Sequence, residues 1–189
     1  MADPKQTLHR YLKGQREALL WKLEGLGERQ LRWPMTPTGT NLLGLVKHVA
    51  SMELEYFGDV FGRPSPVELT WLAPDAETNA DMWATPEESR EWVVGLYREA
   101  WVHADATIEA LDLDATGHVP WWQPGRQQVT LHQILVHVIA ESARHAGHAD
   151  LVRELTDGAA GMRRDADNLP DEDWPAYVDR LRAAAERFD

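Results

Sequence analysis

Four separate stretches of this chain repeat apolar residues at three- and four-residue steps, a period that leaves little room for anything but packed helices. The first covers residues 5–25 and carries Leu8, Tyr11, Leu12, Leu19, Leu20 and Leu23 on one stripe. The second follows Asn41, a good N-cap residue, and runs from Leu42 to about Phe61 with Leu45, His48, Met52 and Tyr56 in line. The third opens at "TPEE", where Thr85, Pro86 and Glu88 read as a capping box. It continues through Trp92, Leu96, Ala100, His103 and Ile108 to about Leu111. The fourth is capped by Thr130 and reaches about Thr156, with Gly158 beyond it as a stop. Helices of this kind hide their apolar stripes only against one another, so the expected fold is all-α, a four-helix bundle. No repeat, low-complexity tract or convincing strand pair interrupts that reading.

The bundle is expected to occupy residues 1–160. Residues 161–189 then form an extension whose short helix, over 174–187, packs on the bundle. Two long connections, 62–85 and 112–129, are unusual for a plain bundle, and long loops in a compact domain are commonly functional. Trp71, Trp83, Trp121 and Trp122 lie in them, and aromatic-rich loops tend to pack and to line pockets.

Composition excludes several function classes. A hydrophobic share of 43% argues against disorder, and a formal charge of −12 argues against nucleic-acid binding. With no cysteine there is no disulfide, no thiolate metal site and no cysteine nucleophile. The opening "MADPKQTLHR" has no signal-peptide core, and no apolar run approaches membrane-spanning length. A soluble cytoplasmic protein without membrane or nucleic-acid partners is the expectation.

The stretch "ESARHAGHAD", residues 141–150, departs from an ordinary bundle helix. With Glu141 as origin and about 100° per residue, His145 lies at about +40° and His148 at about −20°. Ile134, Val138 and Val152 share that face, so the polar groups sit on the apolar stripe. His137 is close to it as well. On the second helix His48 stands between Leu45 and Met52 on the inner line. A carboxylate on a core stripe is costly unless it is paired or bound to a metal. Two readings follow. Glu141 and His145 could hydrogen-bond to each other as a buried pair. Alternatively, standing one turn apart, they could reach one ion, which a histidine of a neighbouring antiparallel helix would join. Three nitrogen and oxygen ligands with an open position suit catalytic zinc, and neutral imidazole and carboxylate also suit nickel, iron(II) or manganese. A di-iron site is disfavoured, because no histidine has a glutamate three residues before it.

"NLLGLVKHVASMELEYF", followed about 90 residues on by "VTLHQILVHVIAESARHAGHADLVRELTDG", resembles the DinB-like superfamily. More narrowly it resembles the thiol-dependent branch, which holds mycothiol S-transferases and mycothiol-dependent maleylpyruvate isomerase. The resemblance spans residues 5–160, with "ARHAGHAD" its most specific part. It implies a bundle of up-down-down-up order, often a homodimer, and a divalent metal held by one residue of the second helix and two of the fourth. His48, Glu141 and His145 fall on those positions, with glutamate where many members carry histidine. His148 falls where members have a non-ligand polar residue, so it lines the pocket or supports a ligand.

The activity this resemblance implies is activation of a low-molecular-weight thiol, mycothiol, as a metal-bound thiolate that attacks an electrophilic small molecule, with zinc as the expected ion and nickel or iron as alternatives. A sugar-linked thiol would want polar and aromatic loop residues, which Trp121, Trp122, Gln123 and Arg126 supply; each of them could also be a plain packing or solvated residue. The alternatives on the same site are a mycothiol-dependent isomerase, a metal-dependent hydrolase, or a non-catalytic metal-binding stress protein.

Overall fold

Side-chain oxygens set the starts of the long helices. In the computed structural model, which describes residues 3–165 and 167–188, α1 covers Pro4–Trp21 and α2 is a short turn of helix, Glu28–Arg32. The buried α3 covers Leu42–Phe57, α4 Arg90–Ala110 and α5 Leu131–Asp157. Asp3, Asn41, Ser89 and Thr130 each accept a hydrogen bond from a backbone N–H in the first turn of α1, α3, α4 and α5. Each such cap contributes about 1 kcal/mol. At the other end of α5, Gly158 takes the left-handed conformation (φ 79°) and its N–H closes on the Glu154 carbonyl.

The third helix starts later than its capping box suggests. The Thr85 N–H does bond to Glu88 Oε2 at 2.8 Å, but the helix begins only after Ser89. Arg32 explains the delay, because its guanidinium takes the carbonyls of Ala84, Thr85 and Glu88. The first helix also ends early, at Trp21. A short strand pair accompanies the all-α bundle: β1, Thr116–His118, pairs antiparallel with β2, Gln128–Thr130, just ahead of α5. With three residues each, these strands are too short to print a period on the sequence.

Contacts give the order of the bundle. Lys5 at the start of α1 reaches the carbonyls of Glu109 and Leu111 at the end of α4, so these two helices are antiparallel. Arg153, late in α5, reaches the Lys22 carbonyl at the end of α1, so α1 and α5 run the same way. Lys47 pairs with Glu88 and Arg63 with Thr107, which makes α3 and α4 parallel to each other. The result is up-down-down-up around a core of leucine, valine, alanine and aromatic side chains. In α3 every residue except His48 and Glu55 is buried. One buried charge cluster within the core is paired: Arg16 on α1 and Glu53 on α3 form a fork at 2.7–3.1 Å, and Arg16 also holds Asp105 of α4 at 2.6 Å.

The connection from 62 to 89 is fastened rather than loose. Lys47 donates from inside α3 to the carbonyls of Ala80 and Trp83 and to Glu88. Trp71 Nε1 donates to Ser51 Oγ at 2.8 Å. Gly44 lets the connection lie directly on the helix, since a Cβ there would sit 1.8 Å from the Met82 carbonyl oxygen. Beyond α5, Met162 accepts from Trp21 and Arg164 pairs with Glu24, which ties the end of the bundle segment to α1. The terminal helix α6, Trp174–Ala185, has no buried residue; Trp174, Tyr177, Val178 and Leu181 are 37–52% exposed. Among the described residues no helix is long and apolar enough to cross a membrane.

Candidate functional site

A cleft opens onto α3 where its two half-exposed residues lie. His48 and Glu55 line a cleft of about 330 Å³ together with Tyr56, Asp81, His137 and Glu141. Because α3 and α5 run antiparallel, moving one turn along α3 moves one turn back along α5. His48 therefore meets His145, with ring centroids 4.6 Å apart, and Tyr56 meets His137 at 4.8 Å. Glu141 comes from the turn between His137 and His145, and its Oε2 lies 3.8 Å from His145 Nε2. Of the three side chains singled out by the helical stripes, His48 and Glu141 line the cleft, and His145 lies buried behind them, against the His48 ring.

Asp81, which sequence reasoning missed, completes the group. Its Oδ2 lies 2.5 Å from His48 Nδ1, and the hydrogen bond from His48 holds the Asp81 carboxyl below its usual range. This fixes the ring so that Nδ1 faces the carboxylate and Nε2 stays free, the way a carboxylate orients a metal-binding histidine. Asp81 sits in the long connection, where no period betrays a facing direction; the contacts of Lys47, Gly44 and Asn41 with that connection fix it over α3.

His145 is only 9% exposed, and its Nδ1 is buried without a hydrogen-bond partner. Burial holds its pKa at about 4, with the nearby His48, His148 and Arg144 adding to the effect, so at neutral pH the ring is uncharged and can offer a lone pair. Burial also raises the Glu55 carboxyl, with Asp59 and Asp81 adding like charge, and it lowers His137. His148 is exposed and stands 5.5 Å from the His145 ring, at the rim of the group. His103 lies outside the group, with Nε2 3.0 Å from the Arg63 carbonyl oxygen.

The donor set fits a divalent cation in chemistry: two imidazoles, one of them carboxylate-oriented and one with an unsatisfied buried nitrogen, and a glutamate one turn away. As they stand, among the described residues, no group of three histidine or carboxylate side chains has a metal-holding arrangement.

A second cleft, of about 630 Å³, opens beside the first and shares Trp121 and His137 with it. Trp122, Gln123 and Arg126 line it, so the loop residues expected near a substrate do border the same mouth. Trp121 and Arg126 are exposed and Trp122 is half-buried. Tyr56 joins the two clefts: Trp122 Nε1 donates to its hydroxyl oxygen at 2.9 Å and Trp121 Nε1 at 3.4 Å.

Comparison with curated proteins finds no match. The family model described as mycothiol-S-transferase matches residues 7–158, a span that runs from α1 through the last turn of α5 and includes every residue of both clefts. With most of its length inside that match, the chain belongs to the mycothiol-S-transferase family.

Proposed function

We propose that this protein transfers a low-molecular-weight thiol, mycothiol, to an electrophilic small molecule, with His48, Glu141 and His145 holding a divalent metal ion, zinc. The observation that carries this reading is the meeting of the His48 and His145 rings at 4.6 Å beside a cleft, one tied through Nδ1 to Asp81 and the other with Glu141 Oε2 at 3.8 Å from its Nε2. A bound divalent ion supplies Lewis acidity that lowers a thiol's pKa, which makes thiolate available at neutral pH.

The chain's own residues do the rest. Asp81 orients His48 and keeps its Nε2 turned to the cleft. Having no cysteine, the protein takes its sulfur from the cosubstrate. The larger cleft receives the polyol body of the thiol: Trp121 and Trp122 offer flat apolar faces, Gln123 offers amide hydrogen bonds, and Arg126 offers a cation to a carboxylate or hydroxyl. The electrophile enters the smaller cleft, where Met52 and Tyr56 give apolar wall and Glu55 and His137 are the titratable groups within reach. A soluble cytoplasmic protein that pairs with a second copy is the setting we assign to it.

The test is metal analysis of untagged protein together with a thiol-consumption assay offering mycothiol and other cellular thiols. The expected result is one metal ion per chain, lost in Glu141→Ala, and consumption of mycothiol with a haloalkane or epoxide that disappears with His145→Ala. Full activity in metal-free protein would overturn the metal reading, and consumption of no thiol would overturn the transferase reading.

A further inference from the structure

We propose that Tyr56 is the hydrogen-bond and proton donor to the electrophile, and that the site is built for electrophiles whose reaction leaves negative charge on oxygen, an epoxide above all. The proposal rests on the transferase reading and names the substrate class of that same site.

The argument begins with hydroxyl bookkeeping. A phenol has one hydrogen to give and two lone pairs to accept with. An indole N–H can only donate. Trp121 and Trp122, from the loop between β1 and β2, both aim their N–H groups at the Tyr56 oxygen, at 3.4 and 2.9 Å. Both lone pairs are thereby taken, and the hydroxyl hydrogen must go to something else. Among the described residues no protein acceptor receives it, although Tyr56 is only 8% exposed. The space beside it is the cleft lined by His48 and Glu141, where solvent or a ligand can take the hydrogen. The ring cannot swing away, because the edges of His137, Trp121 and Trp122 pack round it at 4.8–6.1 Å. The fold thus holds a phenol O–H ready for an acceptor that a ligand can bring.

An epoxide brings one. As the thiolate sulfur attacks a ring carbon, the S–C bond forms and the C–O bond breaks. The electron pair of that bond moves to the ring oxygen, which takes the Tyr56 proton and becomes a hydroxyl. Tyr56 recovers a proton from water, which balances the one the thiol released. The product is a β-hydroxy thioether, and no oxidant or reductant is involved. A haloalkane needs no such donor, because halide leaves with its charge and is stabilised by water.

Tyr56→Phe keeps the ring and removes only the hydroxyl, which makes it the test. With mycothiol as the thiol, the variant is expected to lose about 100-fold or more in kcat/KM on styrene oxide. On iodoacetamide its loss should be smaller by at least about tenfold, because no proton donor is needed there. A second measurement does not depend on turnover. Metal-free protein is titrated with the hydroxyphenethyl thioether of mycothiol and with its S-phenethyl counterpart, which lacks the hydroxyl, following tryptophan fluorescence. Wild type should prefer the hydroxylated compound by roughly five-fold, about one net hydrogen bond, and Tyr56→Phe should bind both alike. Equal losses on the two electrophiles, no loss on either, or no preference in wild type would each overturn the proposal. If wild type conjugates neither electrophile, the transferase reading has failed, and the binding preference alone then decides the role of Tyr56.

Discussion

Helix α3 brings titratable groups into the core in two places, and the two are finished differently. Towards α1 and α4, Glu53 is fully buried and both of its oxygens are taken by Arg16, whose remaining nitrogen goes to Asp105. Towards α5, His48 meets His145 and Glu141, but one imidazole nitrogen is left unpartnered and the nearest carboxylate contact to His145 is 3.8 Å. The first cluster is closed: each charge is met inside the protein, and nothing is left for a visitor. The second borders a cleft through His48 and Glu141 and leaves a His145 nitrogen unsatisfied behind them. The two polar clusters on one helix thus differ in depth and in how far their charged groups are met within the protein.

The comparison breaks if His145→Ala leaves thiol consumption intact. The expected outcome is activity at background with an unchanged or slightly raised urea midpoint, since the variant removes an orphaned nitrogen along with a ligand. Next in size is Glu53→Ala, which strands the Arg16 charge and should cost about 3–5 kcal/mol in urea unfolding. Metal content per folded chain should stay the same. The double variant Arg16→Met, Glu53→Leu should recover most of that stability, because a buried pair replaced by apolar residues of similar volume is often neutral. Asp81→Asn sharpens the other side: it keeps the shape but loses the charge that orients His48, and should weaken metal affinity about 10–100-fold in a chelator competition.

The smallest effect belongs to the pair of buried Arg153 and exposed Asp157 at the end of α5. The hydrogen bond from Arg153 holds the Asp157 carboxyl below its ordinary 3.8. A carboxyl lowered in the folded state contributes stability that is present above its unfolded pKa and is lost as pH falls through the folded one. Asp157→Asn should therefore cost less than about 1 kcal/mol at pH 7, and its difference from wild type should shrink as the pH falls below 3.8. Thermal melts across that range would check it.

Much of this contrast was legible in the sequence, and the reasons it stops are physical. Helical angle alone placed Glu141 and His145 on the stripe of Ile134, Val138 and Val152, and put His48 on the inner line of α3. The closed cluster was not legible: Arg16 and Glu53 are 37 positions apart, and neither carries a mark of its partner. Asp81 and the role of Tyr56 stayed hidden for a related reason. Each acquires its setting from a long connection, Asp81 through the hold of Lys47 and Tyr56 through two indoles 65 and 66 positions away. Periodicity reports which way a helix faces; it says nothing of which loop comes to lie on it. The box at Thr85 was read correctly as chemistry and misread as a boundary, because Arg32 had a prior claim on the carbonyls.

Gly44 has a consequence for how this scaffold can be altered. With the Met82 carbonyl where a methyl group would stand, even alanine at this position would lift the strap that carries Asp81. Whoever redesigns the pocket for another reagent is free to vary its walls, but this one hydrogen atom in place of a side chain sets how close the orienting carboxylate can come.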